Sequence, residues 1–109
     1  GDLSVRMARR LGKAPDRQRW LRRAAVLHDV GKLGVSSSIL EKPGGLDPRE
    51  WEEMRTHADH TRAILGRIGA LSDLADVAAG HHERLDGTGY PLRLDASSIG
   101  LETRIITAC

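Results

Sequence analysis

The sequence predicts an all-α domain, a bundle of about five helices, and three observations carry that expectation. Apolar residues recur at three- and four-residue spacing along most of the chain, the period of a helix face. Phe is absent and the aromatics are only Trp20, Trp51 and Tyr90, so the core is aliphatic, which suits packed helices better than a β-sandwich. Asp47-Pro48-Arg49-Glu50 has the order of a helix start: a capping carboxylate, Pro at the first helical position, and Glu where a capping-box partner belongs.

Read in order, Leu3, Met7, Ala8 and Leu11 predict a first helix that Gly12 ends. Trp20, Ala24 and Leu27, with Leu21, Ala25 and His28, form adjacent rows that predict a second helix from about Arg17 to Val30. Gly31 and Gly34 bracket its exit, Ser36 to Leu40 is a short helical turn, and Lys42-Pro43-Gly44-Gly45 is a loop. The helix that starts at Asp47 carries Trp51, Met54, Ala58, Thr61 and Leu65 on one face, with His57 beside it. A further helix from near Ser72 carries Leu74, Ala75, Val77 and Ala78 towards His81-His82. Glu83 to Leu94 is a loop, and from Ser98 onward Leu101, Ile105, Ile106 and Ala108 open a last helix. The first helix begins, and the last stops at Cys109, without a capping signal, so the bundle is expected to be truncated at both ends.

Composition bounds the function. The 109 residues suffice for a single domain over 1–109, and no repeat or low-complexity stretch divides them. Cys109 is the only cysteine, so no disulfide forms within the chain, which fits a cytoplasmic location. No apolar run is long enough to span a membrane. The first 23 residues hold eight cations against Asp2 and Asp16, but no aromatics interleave with them for base stacking. A solvated helix face accounts for them better than nucleic-acid binding, which is not expected.

Four places collect the ligand-type side chains: His28-Asp29 at the end of the second helix, His57 on the next long helix, His81-His82 at the end of the third, and the loop Asp86-Gly87-Thr88-Gly89-Tyr90-Pro91. Each alone has an ordinary explanation: a hydrogen-bonded core histidine, cations at a helix C-terminus, or a glycine-rich turn. Together they bring four of the five histidines onto helices whose inner faces converge in a bundle. His60, the fifth, is read as structural. Imidazoles with a bridging carboxylate make a mixed nitrogen/oxygen site suited to iron or manganese, and two such metals can activate water and polarise a phosphodiester together.

These residues carry a resemblance. Leu27-His28-Asp29-Val30-Gly31-Lys32 resembles the signature of HD-domain phosphohydrolases, and His81-His82-Glu83-Arg84-Leu85-Asp86-Gly87-Thr88-Gly89-Tyr90-Pro91 resembles that of their HD-GYP subfamily. Ile39 to Gly44, Leu46, Met54-Arg55-Thr56-His57 and Arg104-Ile105-Ile106 are similar to it as well, so the likeness covers nearly the whole chain. It implies an HD-domain-like bundle with His28, Asp29, His57, His81 and His82 as ligands of a di- or trinuclear iron or manganese centre, Asp29 bridging. Lys32 would act with Asp29 in catalysis by contacting the scissile phosphate. Asp86, Gly87, Gly89, Tyr90 and Pro91 would shape the substrate pocket. The implied reaction is hydrolysis of cyclic di-GMP to pGpG, or on to GMP, in bacterial second-messenger signalling.

The implied partners are cyclic di-GMP, a diguanylate cyclase (GGDEF) domain, an upstream sensor or receiver domain, and a second copy in a homodimer. The family pattern has a further His before the HD pair and an Asp shortly after the Arg-Ile-Ile element, and neither lies within residues 1–109. The isolated segment is therefore expected to hold metal weakly or not at all. The alternative is an inactive signalling module that binds a cyclic dinucleotide or a protein partner; the glycine-rich loop argues against a third reading, an HD phosphohydrolase acting on other nucleotides.

Overall fold

The structure is a computed structural model describing all 109 residues. It is all-helical, with no strand beyond one isolated bridge between Asp86 and Asp95, as expected. The α-helices are α1 (Asp2–Arg10), α2 (Pro15–Leu27), the short α3 (Ser37–Leu40), α4 (Pro48–Gly66), α5 (Ala75–Ala79) and α6 (Leu101–Ala108).

α4 is the central element, packing against α5 and the turn that follows α2. Its start follows the sequence signal: the Glu50 amide donates to Asp47 Oδ1 at 2.8 Å, with Pro48 at the first helical position. The capping box is only half formed, because the Glu50 carboxylate pairs with Lys42 Nζ at 2.7 Å. Leu21, Leu65, Leu74 and Ile105 are fully buried side chains at the heart of the core, with Ala8, Ala24 and Ala78 between them. The alanines let the helix backbones approach, and the branched residues fill the remaining space. α6 is tied to α2 and the turn before it by Glu102, which accepts from Arg17 Nε at 3.2 Å and lies 3.6 Å from Lys13 Nζ.

Several expectations are corrected. α2 ends at Leu27 with His28 as its cap, not at Val30, and the chain tightens into a 3-10 turn at Val30–Gly34. That turn lays Gly31 directly on α4: an added Cβ would sit 1.9 Å from the His57 carbonyl oxygen and 2.4 Å from the Thr61 nitrogen. The third helix is broken into a 3-10 turn at Ser72–Leu74, α5, and a 3-10 turn at Gly80–His82. Gly80 interrupts it where the backbone meets Thr103 of α6; a Cβ there would lie 2.9 Å from Thr103 Cγ2. Trp51 is 45% exposed, because the buried stripe of α4 begins only a turn and a half later at His57. In α1 the buried positions are Ser4 and Ala8, while Leu3 and Leu11 face out; in α6, Leu101 and Ala108 are exposed.

Candidate metal centre

Three elements deliver imidazoles to one point. His28 caps α2, His57 lies on α4, and His81 sits in the 3-10 turn after α5. All three use the same local device. Nδ1 of each hydrogen-bonds the carbonyl three residues earlier: His28 to Ala25 at 2.6 Å, His57 to Met54 at 2.6 Å, and His81 to Ala78 at 2.7 Å. A carbonyl accepts only, so Nδ1 carries the proton and Nε2 presents its lone pair.

The Nε2 atoms converge on Asp29. Oδ1 of Asp29 lies 3.3 Å from His81 Nε2 and 3.5 Å from His57 Nε2, while Oδ2 lies 3.2 Å from His28 Nε2 and 3.0 Å from Lys32 Nζ. Each carboxylate oxygen thus faces its own set of nitrogens. Asp29, His57, His81 and His82 offer ligand atoms that all lie within 4.8 Å of one another. His57 and His81 are buried, and their Nε2 atoms stand 3.4 Å apart. Lone pairs gathered so closely around a carboxylate make a mixed nitrogen and oxygen donor set, and that set fits a divalent metal.

Electrostatics favour the ligating forms. Burial raises the Asp29 pKa, but the Lys32 hydrogen bond and the charges of His28, Lys32 and His81 outweigh it, leaving the carboxyl below its ordinary value. Burial lowers the His81 pKa and brings that of His82 down to about 4, so both rings are neutral at pH 7.

Thr61 holds this arrangement together. The Gly31 amide donates to its Oγ1 at 2.9 Å, and that hydroxyl donates to the His28 carbonyl at 3.1 Å. One buried side chain on α4 therefore fixes the turn carrying His28 and Asp29. The sequence reading placed Thr61 on the buried stripe and missed its role; its only signal is a hydroxyl on an otherwise apolar face.

The loop from Glu83 to Leu94 forms the far wall. The Tyr90 ring stacks on His82, with centroids 4.7 Å apart and planes 18° from parallel. Burial holds the Tyr90 hydroxyl protonated by raising its pKa. Gly89 packs on the backbone of the histidine turn, where a Cβ would lie 2.4 Å from the His82 carbonyl oxygen and from the Arg84 nitrogen. Gly87 supplies a positive φ of 79° that turns the loop, and the Tyr90–Pro91 peptide is cis. Glu83, also missed, is 3% exposed and accepts from the amides of Leu92 at 2.7 Å and Leu94 at 3.0 Å, so it clasps the loop's end.

A cavity of about 680 Å³ opens between this loop and α6, lined by His28, His81, His82, Gly89 and Tyr90 among others. The other predicted site residues lie apart from it. Asp86 is turned outward, where its Oδ1 accepts from the Thr88 amide at 3.0 Å and from the Thr88 hydroxyl at 2.6 Å, so it caps the turn. Gly87 and Pro91 shape the loop without lining the cavity. Lys32 lies with Asp29 on a second, shallower hollow. His60 is outside the cluster, against Gly34.

Fold and centre define a class: a helical domain built around a mixed histidine and carboxylate site suited to divalent metals. A family model described as an HD domain matches residues 1–109, and the chain belongs to that family; its Glu83–Pro91 loop is of the HD-GYP type. It is 52% identical over 101 residues to the 3'3'-cGAMP-specific phosphodiesterase 3 of Vibrio cholerae, covering 93% of this chain and 22% of that protein. It is 40% identical over 108 residues to a cyclic di-GMP phosphodiesterase of Thermotoga maritima, covering 97% of this chain and 29% of that protein. The chain thus spans between about a fifth and less than a third of the length of these curated relatives. No helix is long and apolar enough to cross a membrane.

Proposed function

We propose that the domain is the catalytic unit of a metal-dependent cyclic dinucleotide phosphodiesterase, opening cyclic di-GMP to linear pGpG and cleaving further to GMP. The observation that carries this reading is the convergence of three Nε2 lone pairs on the two oxygens of Asp29. His28, Asp29, His57, His81 and His82 would hold the metal, with Asp29 offering both its oxygens, and the donor set favours iron or manganese. Bound metals supply Lewis acidity towards the phosphoryl oxygens and lower the pKa of water.

The chain's own groups do the rest. Asp29, ionised and oriented through both oxygens, keeps the centre negative enough to retain cations. Lys32, whose Nζ is 3.0 Å from Asp29 Oδ2, is the cation that offsets charge developing on the scissile phosphate. Tyr90, braced on His82, offers one aromatic wall to a base, worth about 1–3 kcal/mol by stacking. Asp86 and Gly87 act by shaping the loop, as do Gly89 and Pro91.

The names of the relatives divide between cyclic di-GMP and 3'3'-cGAMP, which supports 3'3'-cGAMP as the competing substrate. Chromatography of the metal-loaded protein with each dinucleotide tests the reading: linear product from either one supports it, and no turnover of either, with metal bound, replaces it by an inactive binding module. A diguanylate cyclase domain, an upstream sensor or receiver domain and a second copy of the chain remain the partners such a domain would serve, in the cytoplasm.

A further inference from the structure

The cavity beside the metal centre carries an uncompensated positive rim. Arg55, Arg84 and Arg93 all line it, from α4, from the start of the loop and from its end. Arg55 and Arg93 have no acidic partner, and Arg84 has only Asp86 at 3.9 Å, with both side chains well exposed. The carboxylate that also lines the cavity is Glu83, and both its oxygens are consumed by the amides of Leu92 and Leu94.

Those two amides flank Arg93. The chain wraps Leu92-Arg93-Leu94 around the buried Glu83 carboxylate, and Arg93 adopts a φ of 53°, the only non-glycine residue with positive φ. Left-handed backbone at a residue with a Cβ is unfavourable, and glycine would adopt it freely. A strained position persists where its surroundings over-determine it, and such positions gather at ligand sites. Here the strain places a guanidinium at the cavity mouth. Arg55 completes the approach from the other side, its guanidinium carbon 5.9 Å from the Tyr90 ring centroid.

We infer that Arg55, Arg84 and Arg93 bind a second, non-reacting phosphate of the substrate, with Glu83 as the positioning residue for Arg93. This rests on the proposed reading of the site as a phosphodiesterase centre. One cavity of about 680 Å³ offers metal ligands at its inner wall and arginines at its rim, so it selects a ligand with two phosphates over a simple phosphodiester. Arginine suits this work, because its planar fork matches the phosphate oxygens.

The test is equilibrium binding to the protein with its metal removed, so that the arginines are read apart from the centre. The probes are cyclic di-GMP, 3'3'-cGAMP and inorganic pyrophosphate, which has two phosphates and no base. Wild type is compared with Arg93→Gly, Arg55→Gln and Glu83→Gln. Arg93→Gly relieves the backbone strain, so it should unfold at the same or higher temperature while losing tenfold or more in affinity. Arg55→Gln should lose a similar factor. Glu83→Gln should weaken binding less than Arg93→Gly, and not at all in the Arg93→Gly background. Loss of both dinucleotide and pyrophosphate binding supports the inference. Pyrophosphate binding that depends on the arginines, with no dinucleotide bound by wild type, upholds the rim and defeats the phosphodiesterase reading. Dinucleotide bound equally by wild type and the arginine variants overturns the rim alone, and no binding of any probe by wild type, metal-free or metal-loaded, overturns both.

Discussion

His57 and His81 point their Nε2 atoms at each other across 3.4 Å, and each has already given its Nδ1 proton to a backbone carbonyl. Neither ring can donate to the other in that tautomer. The pair belongs to two elements 24 residues apart, so the packing of the helices presents both lone pairs to the same point, where a metal ion would be held. Metal binding is therefore coupled to the packing of α4 on the turn after α5.

Thr61→Val tests how that packing is held. The substitution keeps the shape of the side chain and removes the hydroxyl that the Gly31 amide donates to and that itself donates to the His28 carbonyl. Leaving a buried amide without an acceptor costs about 1–3 kcal/mol. Chemical denaturation should show a loss of that size, and metal titration should show weaker binding with unchanged stoichiometry. Unchanged metal affinity would mean that the HD turn is positioned by packing alone.

Gly31→Ala should be more damaging. The added methyl would overlap the His57 carbonyl oxygen, 1.9 Å from the ideal Cβ position, and both are backbone-fixed. Overpacking of this kind costs about 1–3 kcal/mol or more. A melting temperature equal to wild type would show that the turn does not lie against α4 as described.

Tyr90→Ala should separate pocket from centre. Loss of the ring removes a stacking surface worth about 1–3 kcal/mol, so dinucleotide affinity should fall about tenfold. Metal content should be unchanged, since Tyr90 offers no ligand to the cluster. Equal loss of both would mean that the ring serves to brace His82.

Glu102 gives a pH dependence. Its carboxyl lies below the ordinary value of 4.5, held there first by its own backbone amide in the first turn of α6 and then, against the opposing effect of burial, by Arg17 and Lys13. A depressed folded-state pKa contributes stability that is present above the unfolded value and lost as pH falls through the folded one. Glu102→Gln should therefore destabilise the protein at pH 7, and the gap to wild type should close below about pH 4. A gap that stays constant down to pH 3 would contradict the latch.

Much of this centre was legible from residue order. His28-Asp29, His57 and His81-His82 fall at helix ends or on buried stripes, and local periodicity places them there. The start of α4 was legible because Asp47 and Pro48 act through local backbone bonds. What local pattern does not carry is which backbones touch. Gly31 reads as the exit of a helix and Gly80 gives no signal of its own, yet each is small because another helix lies against it. Glu83 reads only as the start of a loop and part of a motif, but it is buried by amides nine and eleven residues further on. Asp86 reads as a pocket residue, and the short reach to Thr88 turns it outward instead. Trp51 reads as core by spacing, though it lies 45% exposed, before the buried stripe of α4 begins at His57.

The most direct measurement is elemental analysis of the protein after equilibration with manganese or anaerobic ferrous iron, compared with Asp29→Asn. The variant keeps the size of the side chain and removes the charge on which His28, His57 and His81 converge. Although two further family ligands lie outside these residues, the four-residue cluster is in place, so the account predicts metal in wild type that approaches about one equivalent at saturating concentration and near none in the variant, with a higher melting temperature only in wild type. Equal metal content in the two proteins, or none in either, would contradict it.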